Sequence, residues 1–146
     1  MRKALLILLC VVFVIGGGTV ILHWYGSRIG GPVYDPTNSR DVALLQGIAQ
    51  TSRPLREGLE RFRNNQGGYP SVVTNLFPTY LQPAPEPTEF HWSGWLYLRE
   101  TTSSYSLYYK LNWDDGLFYE HQVQGTNRWY VAGNKYADLT GEFQRN

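Results

Sequence analysis

The order of apolar and polar residues separates a short N-terminal apolar run from a longer, mixed remainder. Arg2 and Lys3 precede the run Ala4–Leu22, which contains no charged residue over 19 positions. A helix of that length is roughly 28 Å long, close to the hydrocarbon thickness of a bilayer. Aromatic residues follow directly, at the depth where amphipathic rings prefer to lie. We therefore predict that residues 1–25 form an N-terminal transmembrane helix that anchors the chain.

The basic start of this segment also predicts its orientation, because positive charges are retained in the cytoplasm. We expect a single-pass signal-anchor in the inner (cytoplasmic) membrane, with the C-terminal part exported to the periplasm. A cleaved signal peptide is the alternative, since Gly16-Gly17-Gly18 could supply the small residues of a cleavage site. The apolar run continues past these glycines to Leu22, which favours the uncleaved anchor.

Glycine and proline dominate the next segment, residues 26–38, where Gly30-Gly31-Pro32 cannot continue a helix comfortably. This composition predicts a juxtamembrane linker. The remaining residues, 39–146, are then expected to form one globular domain, since a domain of this size can bury its own core.

Helical periodicity begins after the linker. Asn38 or Ser39 can cap the helix, and Asp41 lies in its first turn, where the helix dipole favours an acid. Pro54 either kinks one long helix or begins a second helix with Ser52 as its cap. Glycines after position 66 predict the C-terminal end. The apolar residues at helical spacing are Leu44, Leu45, Ile48, Leu55, Leu59 and Phe62.

After Trp92, apolar and polar residues alternate with a period of two, which is the period of a strand. Strands are predicted at Gly94–Arg99, Tyr105–Trp113, Leu117–Val123 and Arg128–Ala132, with Asp114-Asp115-Gly116 as a hairpin turn. Short connections predict an antiparallel meander. Its apolar face needs a cover, and the helical stripe is the only long apolar one available. The predicted fold class is α+β, with an amphipathic helix packed on a three- or four-stranded antiparallel sheet.

Between these elements, Ser71–Leu81 is predicted to form a short helical turn and a loop. Four prolines then hold Leu81–Thr88 in an extended crossing. The inward-facing residues of the first segment are predicted to be Val72, Val73, Leu76 and Phe77.

Charge and cysteine content narrow the functional classes. The formal net charge is +1, and it becomes −1 without Arg2 and Lys3, so no basic surface favours nucleic acid. The only cysteine, Cys10, belongs to the apolar run, so the globular domain contains no disulfide. Aromatic residues make up 15% of the chain, which favours strands.

Candidate chemistry is sparse. His91 and His121 are the histidines of the domain, and Asp114, Asp115 and Glu120 are the nearest acidic groups for acid–base chemistry. His121 shares strand parity with the apolar positions, which predicts that it faces the core. The same three acids are too few oxygen ligands for calcium. No nucleophile elbow, zinc-protease motif, phosphate loop or paired-cysteine motif occurs. We therefore predict no catalytic residues, no metal site and no cofactor.

The tryptophans and tyrosines are expected to serve mainly in core and cross-strand packing. Tyr108 and Phe118 have the opposite strand parity, so they are the better candidates for an exposed aromatic patch. The tryptophans weighed in this way are Trp92, Trp95, Trp113 and Trp129.

An ordered set of segments resembles a known family. The helix ends in Asn65-Gln66-Gly67-Gly68-Tyr69-Pro70, a proline-rich crossing follows, and Trp92-Ser93-Gly94-Trp95-Leu96-Tyr97 opens the sheet. Over Leu55 to about Lys110, this order resembles the globular part of type II secretion major pseudopilins and related type IV pilin-like proteins. In those proteins a Gly-x-Tyr-Pro-like turn ends a helix and a Trp-Gly-x-x-Tyr-like segment opens the sheet. The resemblance implies a pilin-like domain.

Two departures from that family concern filament assembly. The N-terminus has no recognisable prepilin leader, and Gly30-Gly31-Pro32 interrupts the rod that such a subunit needs. Both argue against a polymerising subunit. We expect a non-catalytic, membrane-anchored envelope protein with a pseudopilin-like extracytoplasmic domain, acting by protein–protein contact in or near a secretion or pilus-type system. The alternative is a membrane-tethered, aromatic-rich module that binds a cell-wall glycan.

Overall fold

The computed structural model describes residues 34–35, 37–83, 88–125, 127–133 and 136–143. These residues belong to one compact unit that begins at Tyr34. The predicted anchor and its span Ala4–Leu22, most of the predicted linker and part of the proline-rich crossing lie outside the described residues. Within the described ranges, no helix has the length and apolar character needed to span a bilayer.

The apolar residues at helical spacing are divided between two helices. Helix α1 is Ser39–Thr51, and its first turn is capped by Asn38, whose side-chain oxygen accepts the Arg40 N–H at 2.9 Å. Helix α2 is Arg53–Gln66, with a proline in its first turn, where that residue has no helical hydrogen bond to lose. A second helix therefore begins at Arg53, as one of the two predicted possibilities states, but Ser52 occupies its N-cap position without a side-chain capping bond.

Buried Ser52 forms the junction between α1 and α2. Its hydroxyl donates to the Ala49 carbonyl at 2.7 Å, so the polar group is satisfied without capping α2. At the other end of α2, Gly67 adopts φ = 80°, and its N–H donates to the Arg63 carbonyl. Glycine enters this left-handed conformation without a steric penalty, which explains the abrupt end of the helix.

Six antiparallel strands form one sheet in sequence order, followed by the short helix α3, Thr140–Phe143. This confirms the α+β class and the meander. The strand number is higher than the predicted three or four, because the first and last strands are too short to show a period of two. The strands are β1 His91–Trp92, β2 Trp95–Arg99, β3 Ser104–Lys110, β4 Gly116–Gln122, β5 Arg128–Ala132 and β6 Ala137–Asp138.

The core lies between the inner face of the sheet and helices α1 and α2. A 3₁₀ turn, Val73–Leu76, closes one end of it with two fully buried apolar side chains. Trp95 is fully buried, and its indole N–H donates to the Thr51 hydroxyl of α1 at 2.9 Å. The helices are thus fixed to the sheet by directional bonds as well as by apolar contact. Other buried members of this core are Leu45, Leu55, Leu59, Tyr97, Tyr105, Leu107, Leu117, Tyr119 and Val131.

Two predicted inward-facing residues are exposed. Leu44 is 52% exposed, because the buried stripe of α1 is formed by Leu45 and Ala49, and adjacent helical residues differ by about 100° in direction. Trp113 is 74% exposed, because β3 ends at Lys110 and the hairpin turn begins before the alternation reaches this residue.

Candidate functional site

The outer face of the sheet, opposite the helices, carries a row of aromatic rings. Tyr108 of β3, Phe118 of β4 and Tyr130 of β5 are cross-strand partners in register. The Tyr108 and Phe118 ring centroids are 4.9 Å apart, and those of Phe118 and Tyr130 are 5.0 Å apart. All three are half-buried, so the sequence prediction of an exposed aromatic patch is confirmed in position but only partly in exposure.

These rings stand on the sheet and cover one another. Phe118 and Tyr130 are nearly parallel, with 4° between their ring planes, so each presents its face to its neighbour. The Tyr108 ring lies over Gly116, where a β-carbon would overlap it. A larger residue at this position would therefore displace the Tyr108 ring.

Exposed apolar residues extend the row at both ends. Leu96 is the cross-strand partner of Tyr108, and Leu98 on the same strand is 45% exposed. At the opposite end, the Tyr136 ring lies 5.6 Å from Tyr130 and is 60% exposed. The outer aromatic face is defined here as Leu96, Leu98, Tyr108, Phe118, Tyr130 and Tyr136.

A polar rim borders the outer aromatic face. The Tyr130 hydroxyl donates to Glu120 Oε1 at 2.8 Å, and Arg128 donates to the Tyr136 hydroxyl at 2.9 Å. Burial, followed by the hydrogen bond to Glu120, raises the pKa of Tyr130 to about 12. The phenol therefore stays neutral and acts as a donor at physiological pH.

A second polar cluster lies in a cleft on the inner side, centred on Glu60 of α2. Glu60 Oε1 accepts the Tyr69 hydroxyl at 2.6 Å and lies 3.3 Å from His121 Nε2, while Oε2 lies 3.2 Å from Arg63. Burial and the bond to Glu60 raise the pKa of the Tyr69 phenol well above its ordinary value. Glu60 thus joins the C-terminal half of α2 to the end of β4.

His121 faces the core side, as strand parity predicts, and its side chain is 13% exposed. Its ring stacks on Tyr105 with centroids 4.9 Å apart. Burial lowers the pKa of His121, and the nearby Glu60 carboxylate opposes that effect. The histidine is a packed member of the cleft rather than an isolated core residue.

The other candidate residues lie apart from this cleft. His91 is exposed on edge strand β1, where its Nδ1 lies 2.9 Å from the Thr88 hydroxyl oxygen. Asp115 is buried in the β3–β4 turn and accepts from Asn112, whereas Glu120 lies on the outer face of β4. About 16 Å of extended strand separates the two acids. Within the described ranges, no three histidine, cysteine or acidic residues cluster at a distance suited to a metal.

Sequence reasoning did not identify Glu60, Tyr69 or Arg56 as parts of a site. A helical signal existed, because Arg56, Glu60 and Arg63 recur at intervals of four and three residues beside the apolar stripe. The contacts of Glu60 with His121 join residues 61 positions apart, which periodicity does not reveal.

No family model, no curated protein and no solved structure matches this chain.

Proposed function

We propose that the chain is a non-catalytic, membrane-anchored envelope protein whose pseudopilin-like extracytoplasmic domain acts by protein contact in a secretion or pilus-type system. The observation that carries this proposal is the outer aromatic face. The described helices pack on the inner side of the sheet, and none of them covers this row of rings.

The composition of the outer aromatic face favours a protein partner. Contiguous exposed apolar surface marks interaction sites, and interfaces are enriched in tyrosine and arginine. Here an apolar centre built on Phe118 is bordered by Glu120 and Arg128, which lie 3.9 Å apart. An apolar centre inside a polar rim is the usual arrangement of a protein–protein contact.

The glycan alternative has weaker support. Sugars stack on the faces of aromatic rings, and Phe118 and Tyr130 each have one face turned toward the other ring. Trp113 offers an exposed ring, but it stands in the β3–β4 turn, with the Lys110 ammonium 5.0 Å from its centroid. A single such ring does not form a platform for an extended glycan.

Site-directed photo-crosslinking of the full chain in cells tests the proposal. A photoreactive phenylalanine analogue replaces Leu98 or Tyr136, which stand at opposite ends of the outer aromatic face. Ala43, exposed on α1, is the matched control position. We expect adducts with a secretion or pilus component from the two outer positions and none from the control.

Three outcomes would overturn this proposal: adducts from Ala43 at equal yield, adducts only with a second copy of the chain, or no adduct from either outer position. The glycan alternative is tested by retention of the full chain on peptidoglycan. Loss of that retention in Tyr136→Ala, without loss of folding, would favour the glycan.

A further inference from the structure

Arg56 of α2 points into the inner cleft, an opening of about 730 Å³ between the helix and the sheet. Its Nε donates to the buried Ser52 hydroxyl at 3.1 Å. Its guanidinium carbon lies 5.2 Å from the Tyr119 ring centroid and 5.5 Å from that of Trp129. The Arg56 guanidinium is therefore held against two aromatic rings in the absence of a ligand.

Among the described residues, Arg56 and Arg61 are the two cleft arginines without an acidic partner, but Arg61 donates to the backbone carbonyls of Glu57 and Tyr80. Arg53 lies 2.7 Å from Glu57, and Arg63 lies 3.2 Å from Glu60. Within the described part of the chain, no carboxylate lies within ion-pair distance of Arg56. Since Nε is bonded to Ser52, the two terminal amino groups of Arg56 are the donors that can form parallel hydrogen bonds to an oxyanion.

The charges lining the cleft favour a monoanion. They comprise the arginines 53, 56 and 61 and the glutamates 57 and 60, so one positive charge remains when His121 is neutral. A carboxylate matches that excess. A bound phosphate dianion would exceed it and leave the cleft with a net negative charge.

A hollow of about 340 Å³ adjoins the cleft, and the two share Gln50 and Arg56 as lining residues. Its lining is mixed: Gln46, Gln50 and Arg56 are polar, and Ala49, Trp129 and Phe143 form its apolar side. A ligand whose carboxylate meets Arg56 could therefore place an apolar group against Trp129, which would remove that group from water.

We propose that this cleft binds a carboxylate attached to a short apolar group, with Arg56 as the charge partner and the Trp129 and Phe143 side of the adjoining hollow as the apolar subsite. The two sources of this chemistry are a free organic acid and the C-terminus of a peptide. The inference is independent of the outer aromatic face, because it concerns the opposite side of the sheet.

The test compares N-acetylphenylalanine with its neutral amide, using the full chain in lipid nanodiscs. Binding is followed by the indole N–H resonance of Trp129. We expect the acid to bind at least about tenfold more tightly than the amide, because only the acid pairs with Arg56. Equal binding of acid and amide, no shift of the Trp129 resonance, or tighter binding of inorganic phosphate would overturn the proposal.

Two variants locate the charge partner. Arg56→Gln is expected to abolish the difference between acid and amide, whereas Arg40→Gln, at an exposed position of α1 outside the cleft lining, should preserve it. An unchanged difference in a folded Arg56→Gln chain would overturn the assignment. Arg56→Lys retains the charge but loses the planar fork, so we expect an intermediate difference between acid and amide. If Arg56→Gln does not fold, the acid–amide comparison on the native chain decides whether the cleft binds a carboxylate.

A tripeptide, N-acetyl-Ala-Ala-Phe with a free C-terminus, distinguishes the two sources. Tighter binding than N-acetylphenylalanine indicates a peptide end, and equal binding indicates a free acid. Both results support the carboxylate class, whereas failure of the tripeptide and the free acid alike would contradict it.

Discussion

The two faces of the sheet bear aromatic residues from the same strands, yet these residues are stabilised in different ways. On the inner face, Trp95 and Tyr97 are fully buried, and their polar atoms bond to Thr51 and to the Pro70 carbonyl. On the outer face, Phe118 contacts mainly its ring neighbours. Alternation along a strand assigns a residue to a face, but only the helical layer determines which face becomes the core.

The largest expected effect concerns the inner face. Trp95→Ala should lower the free energy of unfolding by about 3–5 kcal/mol, because it leaves a large cavity beneath α1. Phe118→Ala, its counterpart on the outer face, should cost only about 1–2 kcal/mol, since that ring is half-exposed. Urea denaturation of both variants measures the difference. Equal losses would mean that the two faces are equally covered, which would break the comparison.

Gly116 provides a sharper test of the outer face. Gly116→Ala should destabilise the domain by about 1–3 kcal/mol, because the new β-carbon would overlap the Tyr108 ring. The same substitution in a Tyr108→Ala background should cost much less. A double-mutant cycle by urea denaturation measures this relief. An equal cost in both backgrounds would show that the ring does not rest on the glycine.

The stacking of the outer rings predicts a smaller coupling. Phe118→Leu and Tyr130→Leu should show a coupling energy of about 0.5–1.5 kcal/mol in a double-mutant cycle. Either substitution alone already removes the stacked pair of rings, so the second one cannot remove it again. Phe118→Leu paired with the distant Leu44→Ala serves as the control and should be additive. Additivity of the first pair would indicate that the outer rings do not support each other.

The smallest expected effect is the pH dependence of the inner cleft, since Glu60 partly offsets the burial of His121. The folded pKa of His121 is lowered from 6.5, so the unfolded chain binds the proton more readily. The contribution of His121 to stability is therefore complete above pH 6.5 and is lost as the pH falls from 6.5 through the folded pKa.

Thermal unfolding between pH 7.5 and pH 5.5, a range of about one unit on either side of the ordinary histidine pKa, measures this loss. His121→Gln should flatten the pH dependence, and His91→Gln, exposed on β1, is the matched control. An opposite slope in the native chain would mean that attraction to Glu60 outweighs burial.

Local periodicity accounts for what the sequence predicted well. The helix beginning at Ser39, the β3–β4 hairpin and the opposite parity of Phe118 and Tyr119 depend on neighbours within a few residues. Strand β1 was missed because Ser93-Gly94 forms a two-residue turn, both with positive φ, and leaves only His91–Trp92 to pair.

The candidate sites were less accessible to such reasoning. Parity placed Tyr108 and Phe118 on the outer face, but the ring stack also needs the register that brings Tyr130 beside them. The cleft depends on Glu60 meeting His121 across the core. The packing of α2 on the sheet brings these two side chains together, and no periodic pattern in the sequence indicates that contact.

Both edges of the described sheet are strands of only two residues, His91–Trp92 and Ala137–Asp138. An edge strand presents unpaired backbone groups to any passing chain, and a short one offers few hydrogen bonds to an added strand. Growth of this sheet into a continuous ribbon is therefore disfavoured. The exposed tyrosines lie on a face of the sheet, where a partner must fit the shape of the surface, and not on an edge that any extended strand could lengthen.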